Sequence, residues 1–220
     1  MNGRFLALHL TARGAPAFTT GLTTITALAW LAGSWLASRP YFDGPAARVP
    51  VVALAPLLAV LLLGPTLAGA DPDLERSTPL PWRAWRAGHV LLAVLAIAAA
   101  LSLTGLHSPH TFGAYPLVRN TLGCAGLVTG AAVLLGARLA WLPAFGYVCA
   151  VYAAAPRQAG IAVAMWAWPV QPSTATASWL VAVVLFVVGA AGYVHLGASP
   201  PGTVRRYRRR RRPCAATGTP

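Results

Sequence analysis

Long apolar stretches alternate with short polar ones along the chain, and this pattern predicts helices that cross a membrane. A crossing of the ~30 Å hydrocarbon core requires about 20 apolar residues, and several stretches reach about that length. We therefore expect an all-α fold, a polytopic transmembrane helical bundle of about six spans. The predicted spans are residues 16–37, 49–68, 90–106, 121–137, 139–155 and 179–196.

Two features interrupt these apolar stretches. As one helix, residues 121–155 would extend roughly 52 Å at about 1.5 Å per residue, which is too long for a single crossing. Arg138, with Gly136 before it and Pro143 after it, predicts the position of a break. Pro56 predicts a kink that faces other helices, because neighbouring helices can satisfy the carbonyls that a proline leaves free.

Outside the spans, the polar and short apolar segments each have a predicted place. We expect an amphipathic N-terminal segment on the membrane surface, a cytoplasmic loop, an outer segment and a polybasic cytoplasmic tail. These are residues 1–15, 70–88, 156–178 and 199–220.

The outer segment contains one apolar piece, IAVAMWAW, that is too short to cross a membrane. It is expected either to lie in the interface or to enter the bundle as a re-entrant element buried in protein. Trp166 and Trp168 suit the interface, where tryptophan is enriched.

Composition agrees with a membrane protein. Of the 220 residues, 57% are hydrophobic and 10% are charged, against roughly 25% charged residues in soluble domains. The net charge of +13 could indicate nucleic acid binding, but the arginines lie beside apolar stretches and in the tail, which indicates attraction to lipid headgroups. No nucleic acid partner is expected. The tail residues expected to contact lipid or a protein partner are Arg205, Arg206, Arg208, Arg209, Arg210, Arg211 and Arg212.

The arginines also predict the orientation of the bundle. All 17 basic residues are arginine, and cytoplasmic loops carry the excess of positive charge in membrane proteins. With both termini in the cytoplasm, all but four arginines fall on the cytoplasmic side, which favours a multi-pass protein of the cell's inner (plasma) membrane. The four expected outside are Arg39, Arg48, Arg119 and Arg157.

The cytoplasmic loop is the most polar part of the chain before the tail, and its chemistry is typical of docking rather than catalysis. Asp73 can cap a short helix that begins near Leu74, while Trp82 and Trp85 can anchor in the interface. No catalytic residue, metal site or cofactor is expected, so the chain is not predicted to be an enzyme. The residues expected to dock a partner are Asp71, Asp73, Glu75, Arg76, Arg83 and Arg86.

Histidines leave one cofactor hypothesis open. His89 and His195 fall near helix ends on the same predicted side and could together ligate a haem, although ordinary interfacial histidines are the favoured reading. His107 and His110 could hold a metal only weakly, because Pro109 lies between them and no third ligand accompanies them.

Small residues on the fourth predicted span indicate close helix packing. Gly126 and Gly130 form a Gly-x-x-x-Gly pair, and Gly123 precedes them. Such spacing lets helices approach closely, so this span is expected to pack within the bundle or against another subunit. An oligomer is therefore expected.

The order of these elements resembles the membrane subunits of ATP-binding-cassette exporters of the drug and polysaccharide type. The stretch DPDLERS with the later RAGH also resembles a group of actinobacterial membrane proteins. The exporter resemblance implies a permease-like subunit whose loop between spans two and three carries a coupling helix, residues 74–86 here, that sits on a separate cytoplasmic ATPase. The chain has no phosphate-binding Gly-x-x-x-x-Gly-Lys motif of its own. The alternative is a non-transporting accessory or assembly subunit of a membrane complex.

Overall fold

A computed structural model describes residues 11, 14–39, 45–68, 81–106, 110–156 and 160–199. Within these ranges the chain is helical and contains no strand. The α-helices are α1 (Ala15–Ala37), α2 (Val49–Leu61), α3 (Leu63–Thr66), α4 (Trp82–Gly105), α5 (Ala114–Leu135), α6 (Trp141–Ala154), α7 (Ile161–Trp166) and α8 (Thr176–Leu196). Short 3-10 turns occur at Pro45–Arg48, His110–Phe112 and Trp168–Val170.

Four helical stretches in the described part of the chain are long and apolar enough to cross a membrane. They are the run Ala46–Thr66, which contains α2 and α3, and the helices α4, α5 and α8. Helix α1 has the length but is less apolar because of its threonines, and α6 is shorter, with 14 residues. The protein is therefore a helical protein with four candidate membrane spans.

Successive long helices run in opposite directions, so the bundle has two ends. At one end, Arg48 at the start of α2 bonds to Thr104 in the last turn of α4. At the other, Tyr193 near the end of α8 bonds to Leu67 just after α3. We call these the Arg119 end and the Arg138 end, after an arginine at each.

Helix α5 forms the centre of the bundle and packs against α2, α4, α6 and α8. Two thirds of its most apolar window (67%) is buried within the protein, whereas the corresponding share is 28% for α4 and 22% for α8. The long apolar residues of α4 and α8 that remain exposed, such as Leu95 and Val188, give those helices the surface that a lipid environment favours.

The break predicted near Arg138 is present: α5 ends at Leu135 and α6 begins at Trp141. Gly136 adopts a positive φ of 82° there, a conformation that glycine reaches without a steric penalty. The length argument therefore located the turn correctly.

Two helices begin seven or eight residues before the start that the apolar pattern predicted. Helix α4 begins at Trp82, within the predicted loop, and α5 begins at Ala114, within a stretch expected to connect two spans. The rule of about 20 apolar residues measures the membrane-crossing part of a helix, not its polar first turns. The expectation that Arg119 lies in a loop is therefore wrong, because Arg119 belongs to α5.

Pro56 lies inside α2 and is buried, so it faces other helices as predicted, while the kink itself stays a prediction. Proline has no backbone N–H, so the carbonyl four residues earlier, that of Val52, cannot receive its usual helical hydrogen bond. A donor from a neighbouring helix is needed.

Candidate functional site

Asn120 of α5 supplies the donor that the proline in α2 removes. Its Nδ2 donates to Val52 O at 2.8 Å and to Pro169 O at 2.7 Å. Both amide hydrogens are thus used, and the side chain is completely buried. One residue therefore joins the interrupted helix α2 to the segment between α7 and α8.

Arg119 extends this network towards the same segment. Its Nε donates to Asn120 Oδ1 at 3.1 Å, its Nη1 to Pro172 O at 3.0 Å and its Nη2 to Gln171 O at 2.7 Å. The side chain is 0% exposed. We call Arg119 and Asn120, with the four carbonyls they bind, the clasp.

The position of the clasp in the sequence explains its geometry. Adjacent residues on a helix project about 100° apart, so Asn120 can reach α2 while Arg119 reaches residues 171 and 172. A cation in the first turns of a helix is disfavoured by the helix dipole, and burial adds a further penalty. The carbonyls of an irregular, proline-containing segment offset both effects, because they have no helical partners of their own.

Trp168 fixes the same segment from within the bundle. It is completely buried, and its ring lies against Gly123 of α5, where a methyl group would collide with it. Tyr147 of α6 stacks on it with ring centroids 6.1 Å apart, and the Tyr147 hydroxyl donates to Trp166 O. The Trp168 ring thus lies in a slot that the glycine opens inside the protein, as the predicted alternative of an element buried in protein requires, whereas Trp166 is exposed.

The ends of this segment are also attached. Ser178 Oγ donates to Ala164 O at 2.7 Å, and the backbone N–H of Ser173 donates to Thr111 O at 2.9 Å. We call residues 160–175 the strap. The strap is joined to α5, α6 and α8 by side-chain hydrogen bonds and packing, and through Asn120 it is linked to α2.

The glycines of α5 form its seam with α8. A methyl group at Gly126 would collide with the backbone of Leu185 and Phe186, and Gly189 of α8 lies directly against Gly126 and Gly130. Of the two packing partners considered, the structure pairs these residues with a helix of the same chain. Small residues let two backbones approach in this way.

The predicted docking residues are only partly within the described ranges. Arg83, in the first turn of α4, is exposed. Arg86 lies close to Gly197, just beyond the end of α8, where a cation faces the negative end of the helix dipole. The remaining residues lie outside the described ranges, so their predicted roles stay predictions; they are Asp71, Asp73, Glu75 and Arg76 of the loop and Arg205, Arg206, Arg208, Arg209, Arg210, Arg211 and Arg212 of the tail.

Both histidines of the haem hypothesis lie within the described ranges. His89 Nε2 lies 2.9 Å from Thr66 Oγ1, whose hydroxyl is also bonded to Leu63 O, so a hydrogen bond links His89 to the end of α3. His195 is exposed. Among the described residues, no group of three histidines, cysteines or carboxylates could hold a metal ion.

The sequence reasoning missed the clasp. Arg119 was assigned only to the outer side, and Asn120 received no role. The available signal was a pair of polar residues directly before an apolar stretch, together with Pro56, whose freed carbonyl required a donor somewhere in the bundle.

Comparison of the chain with protein-family models, curated proteins and solved structures found no match.

Proposed function

We propose that this protein is a permease-like membrane subunit of an ATP-driven exporter and that it couples to a separate cytoplasmic ATPase. The observation that carries the proposal is the path of the run Ala46–Thr66. This run is bonded to the strap through Asn120 at the Arg119 end, and its other end leads directly into the loop predicted to dock a partner. One helical run thus connects the docking loop to the strap.

In this proposal the chain crosses the membrane six times, with both termini in the cytoplasm. Helices α1 and α6 supply the two crossings beyond the four most apolar ones. The threonine hydroxyls of α1 are bonded to carbonyls of their own helix, as for Thr23 and Thr24, which lowers the cost of placing them in lipid. Helix α6 is short, and the strap beside it, whose residues 167–169 are buried, fills the remaining depth.

The exposed arginines support this orientation. Arg83 and Arg138, both exposed, lie at the Arg138 end, where the predicted docking loop and tail begin. At the Arg119 end, Arg48 and Arg119 are buried and the Arg39 guanidinium lies 4.7 Å from the centre of the Trp35 ring. An excess of accessible positive charge at one end marks the cytoplasmic side.

Transport would take place at the interface of two membrane subunits, either two copies of this chain or this chain and a different one. The exposed apolar faces of α4 and α8 are available for such a contact. The strap would then form the outer boundary of the pathway, and its link to α2 would carry motion from the ATPase side.

A non-transporting accessory subunit is the second candidate, and the glycine seam favours it. The glycine faces of α5 and α8 pack against each other. They are therefore not available to bind a second subunit, as a transport pathway between two subunits at that seam would require. Such a protein would stabilise or regulate a larger complex through its loop and tail.

The two functions differ in what the docking loop does. In membranes of co-expressing cells, replacement of Asp71, Asp73 and Glu75 by Asn, Asn and Gln is expected to abolish association with the ATPase and its stimulation by this subunit, while leaving the fold intact. Arg138→Gln serves as the matched control, since it alters an exposed charge at the same end but outside the loop.

The triple variant changes no residue of a described helix, and thermal unfolding verifies that it folds. Unchanged association with the ATPase would contradict the coupling role. Association without any effect on ATP hydrolysis would favour the accessory role.

A further inference from the structure

The second half of α1 carries an open groove on its exposed side. The residues that line it recur at helical spacing along one face; they are Leu28, Leu31, Ala32, Ser34, Trp35 and Ser38. The groove has a volume of about 580 Å³, within the range of roughly 300–1,000 Å³ found for small-molecule sites. Leu28, Leu31 and Trp35 are each more than half exposed, so a ligand can reach them directly.

The two serines do not make the groove polar. Ser34 Oγ donates to Leu31 O at 2.9 Å, and Ser38 Oγ donates to Trp35 O at 2.8 Å. A hydroxyl that is bonded within its own helix costs less in an apolar environment than a free one. The wall of the groove therefore suits hydrocarbon.

A cation lies at the end of the groove. Arg39 is exposed, and its guanidinium lies 4.7 Å from the centre of the Trp35 ring. Contact with an aromatic ring leaves the N–H groups of a guanidinium available to oxygen acceptors. No residue in the described ranges is acidic, so the charge of Arg39 has no carboxylate partner there. An anionic group can bind at this position.

The length of the groove indicates which ligand fits. Residues 28–38 extend roughly 15 Å along the helix at about 1.5 Å per residue, which is half of the ~30 Å hydrocarbon core. A partner helix that crosses the membrane would follow α1 over its full length, whereas the groove ends at Leu28. An acyl chain of one leaflet matches the groove, and the phosphate of its headgroup matches the guanidinium fork of Arg39.

The exposed apolar faces of α4 and α8 lack this combination. Within the described ranges, neither helix has an arginine at the Arg119 end. Any lipid can cover those two faces, because nothing on them distinguishes one headgroup from another. The groove on α1 joins a hydrocarbon wall to an exposed cation.

We propose that the groove on α1, with Arg39 at its end, binds one anionic phospholipid of the membrane leaflet at the Arg119 end. One acyl chain lies along the groove, and the phosphate accepts hydrogen bonds from the Arg39 guanidinium. The site is independent of the exporter proposal.

The test uses the full chain in phosphatidylcholine vesicles that contain a trace of phosphatidylglycerol or phosphatidylcholine with a photoreactive acyl chain. Mass spectrometry identifies the labelled residues. Phosphatidylglycerol is expected to label residues 28–38 about fivefold more than phosphatidylcholine, the effect of one arginine beside an anionic lipid. Both lipids should label α4 and α8 equally. Equal labelling of residues 28–38 by the two lipids would overturn the proposal.

Two variants with matched controls assign the preference to the groove. Arg39→Gln should abolish the preference, whereas Arg138→Gln, at the other end, should keep it. Ala32→Phe fills the groove and should also abolish the preference, whereas Ala27→Phe, on the same helix but outside the groove, should not. All four positions are exposed, so the substitutions leave the buried core unchanged. A preference that survives Arg39→Gln or Ala32→Phe would overturn the proposal.

An excess of glycerol phosphate distinguishes the lipid from a dissolved anion. This compound carries the phosphate without an acyl chain and is expected to leave the labelling unchanged. Loss of the preference would assign the site to a dissolved phosphate and overturn the lipid ligand. Labelling of residues 28–38 by neither lipid would mean that protein, such as a second copy of the chain, covers the groove, and would also overturn the proposal.

Discussion

Two arginines at one end of the bundle are buried, and two at the other end are exposed. At the Arg119 end, the guanidinium groups of Arg48 and Arg119 turn inward and meet backbone carbonyls. At the Arg138 end, Arg83 and Arg138 remain exposed. The difference follows from the backbone: the strap and the last turn of α4 leave carbonyls that need donors. A buried arginine can therefore be required by the fold, whereas an exposed one reports on the surrounding solvent and lipid.

Replacing one arginine at each end should give the largest difference in the free energy of unfolding. Arg119→Met removes the donors to Gln171 O and Pro172 O and leaves Asn120 Oδ1 without its donor. We expect a loss of about 3 kcal/mol, because buried polar groups without partners cost about 1–3 kcal/mol each and relief of the buried charge offsets part of the sum. Arg138→Gln should change stability by less than about 0.5 kcal/mol.

Reversible unfolding in mixed detergent micelles measures both variants. Equal stabilities of Arg119→Met and Arg138→Gln would mean that the inward-turned arginine is not required by the fold.

A substitution in the glycine seam tests whether α5 and α8 pack as closely as described. Gly126→Ala places a methyl group against the backbone of Leu185 and Phe186 and should destabilise the protein by about 1–3 kcal/mol. Gly146→Ala in α6 is the control, since its methyl group would meet no atom within 4 Å and helix propensity favours it by roughly 0.5–1 kcal/mol. The same unfolding measurement should therefore give opposite signs for the two variants, and a neutral Gly126→Ala would contradict the seam.

The smallest expected effect concerns the attachment of the strap to α6. Tyr147→Phe removes the hydrogen bond to Trp166 O and keeps the ring that stacks on Trp168. The expected loss is about 1 kcal/mol, accompanied by faster amide hydrogen exchange in the strap and no change in α4. Tyr115→Phe is the matched control, because Tyr115 is exposed in the first turn of α5. Equal exchange in both variants would mean that this hydrogen bond does not hold the strap.

The sequence predicted what depends on length and composition and failed where distant residues meet. The break at Arg138 followed from the limit on one crossing, and the all-helical fold followed from the apolar stretches. The early start of α5 could not be predicted in this way, because its first two turns contain Arg119, Asn120 and Pro116, a proline that the first turn of a helix tolerates. The clasp could not be predicted from length and composition either, since the pairing of Asn120 with Val52 depends on where α5 crosses α2. The sequence also left open whether Trp168 is buried in protein, because its slot exists only where Gly123 faces the strap.

A double-mutant cycle between Pro56 and Asn120 tests the central claim most directly. Pro56→Ala restores the N–H that Val52 O lacks, so Asn120 is no longer its necessary donor. Asn120→Ala should cost about 3 kcal/mol or more in the wild-type background, because two carbonyls and Arg119 Nε lose their partners. In the Pro56→Ala background that cost should fall by about 1–2 kcal/mol. Strict additivity of the two substitutions would contradict the claim that Asn120 completes the helix which Pro56 interrupts.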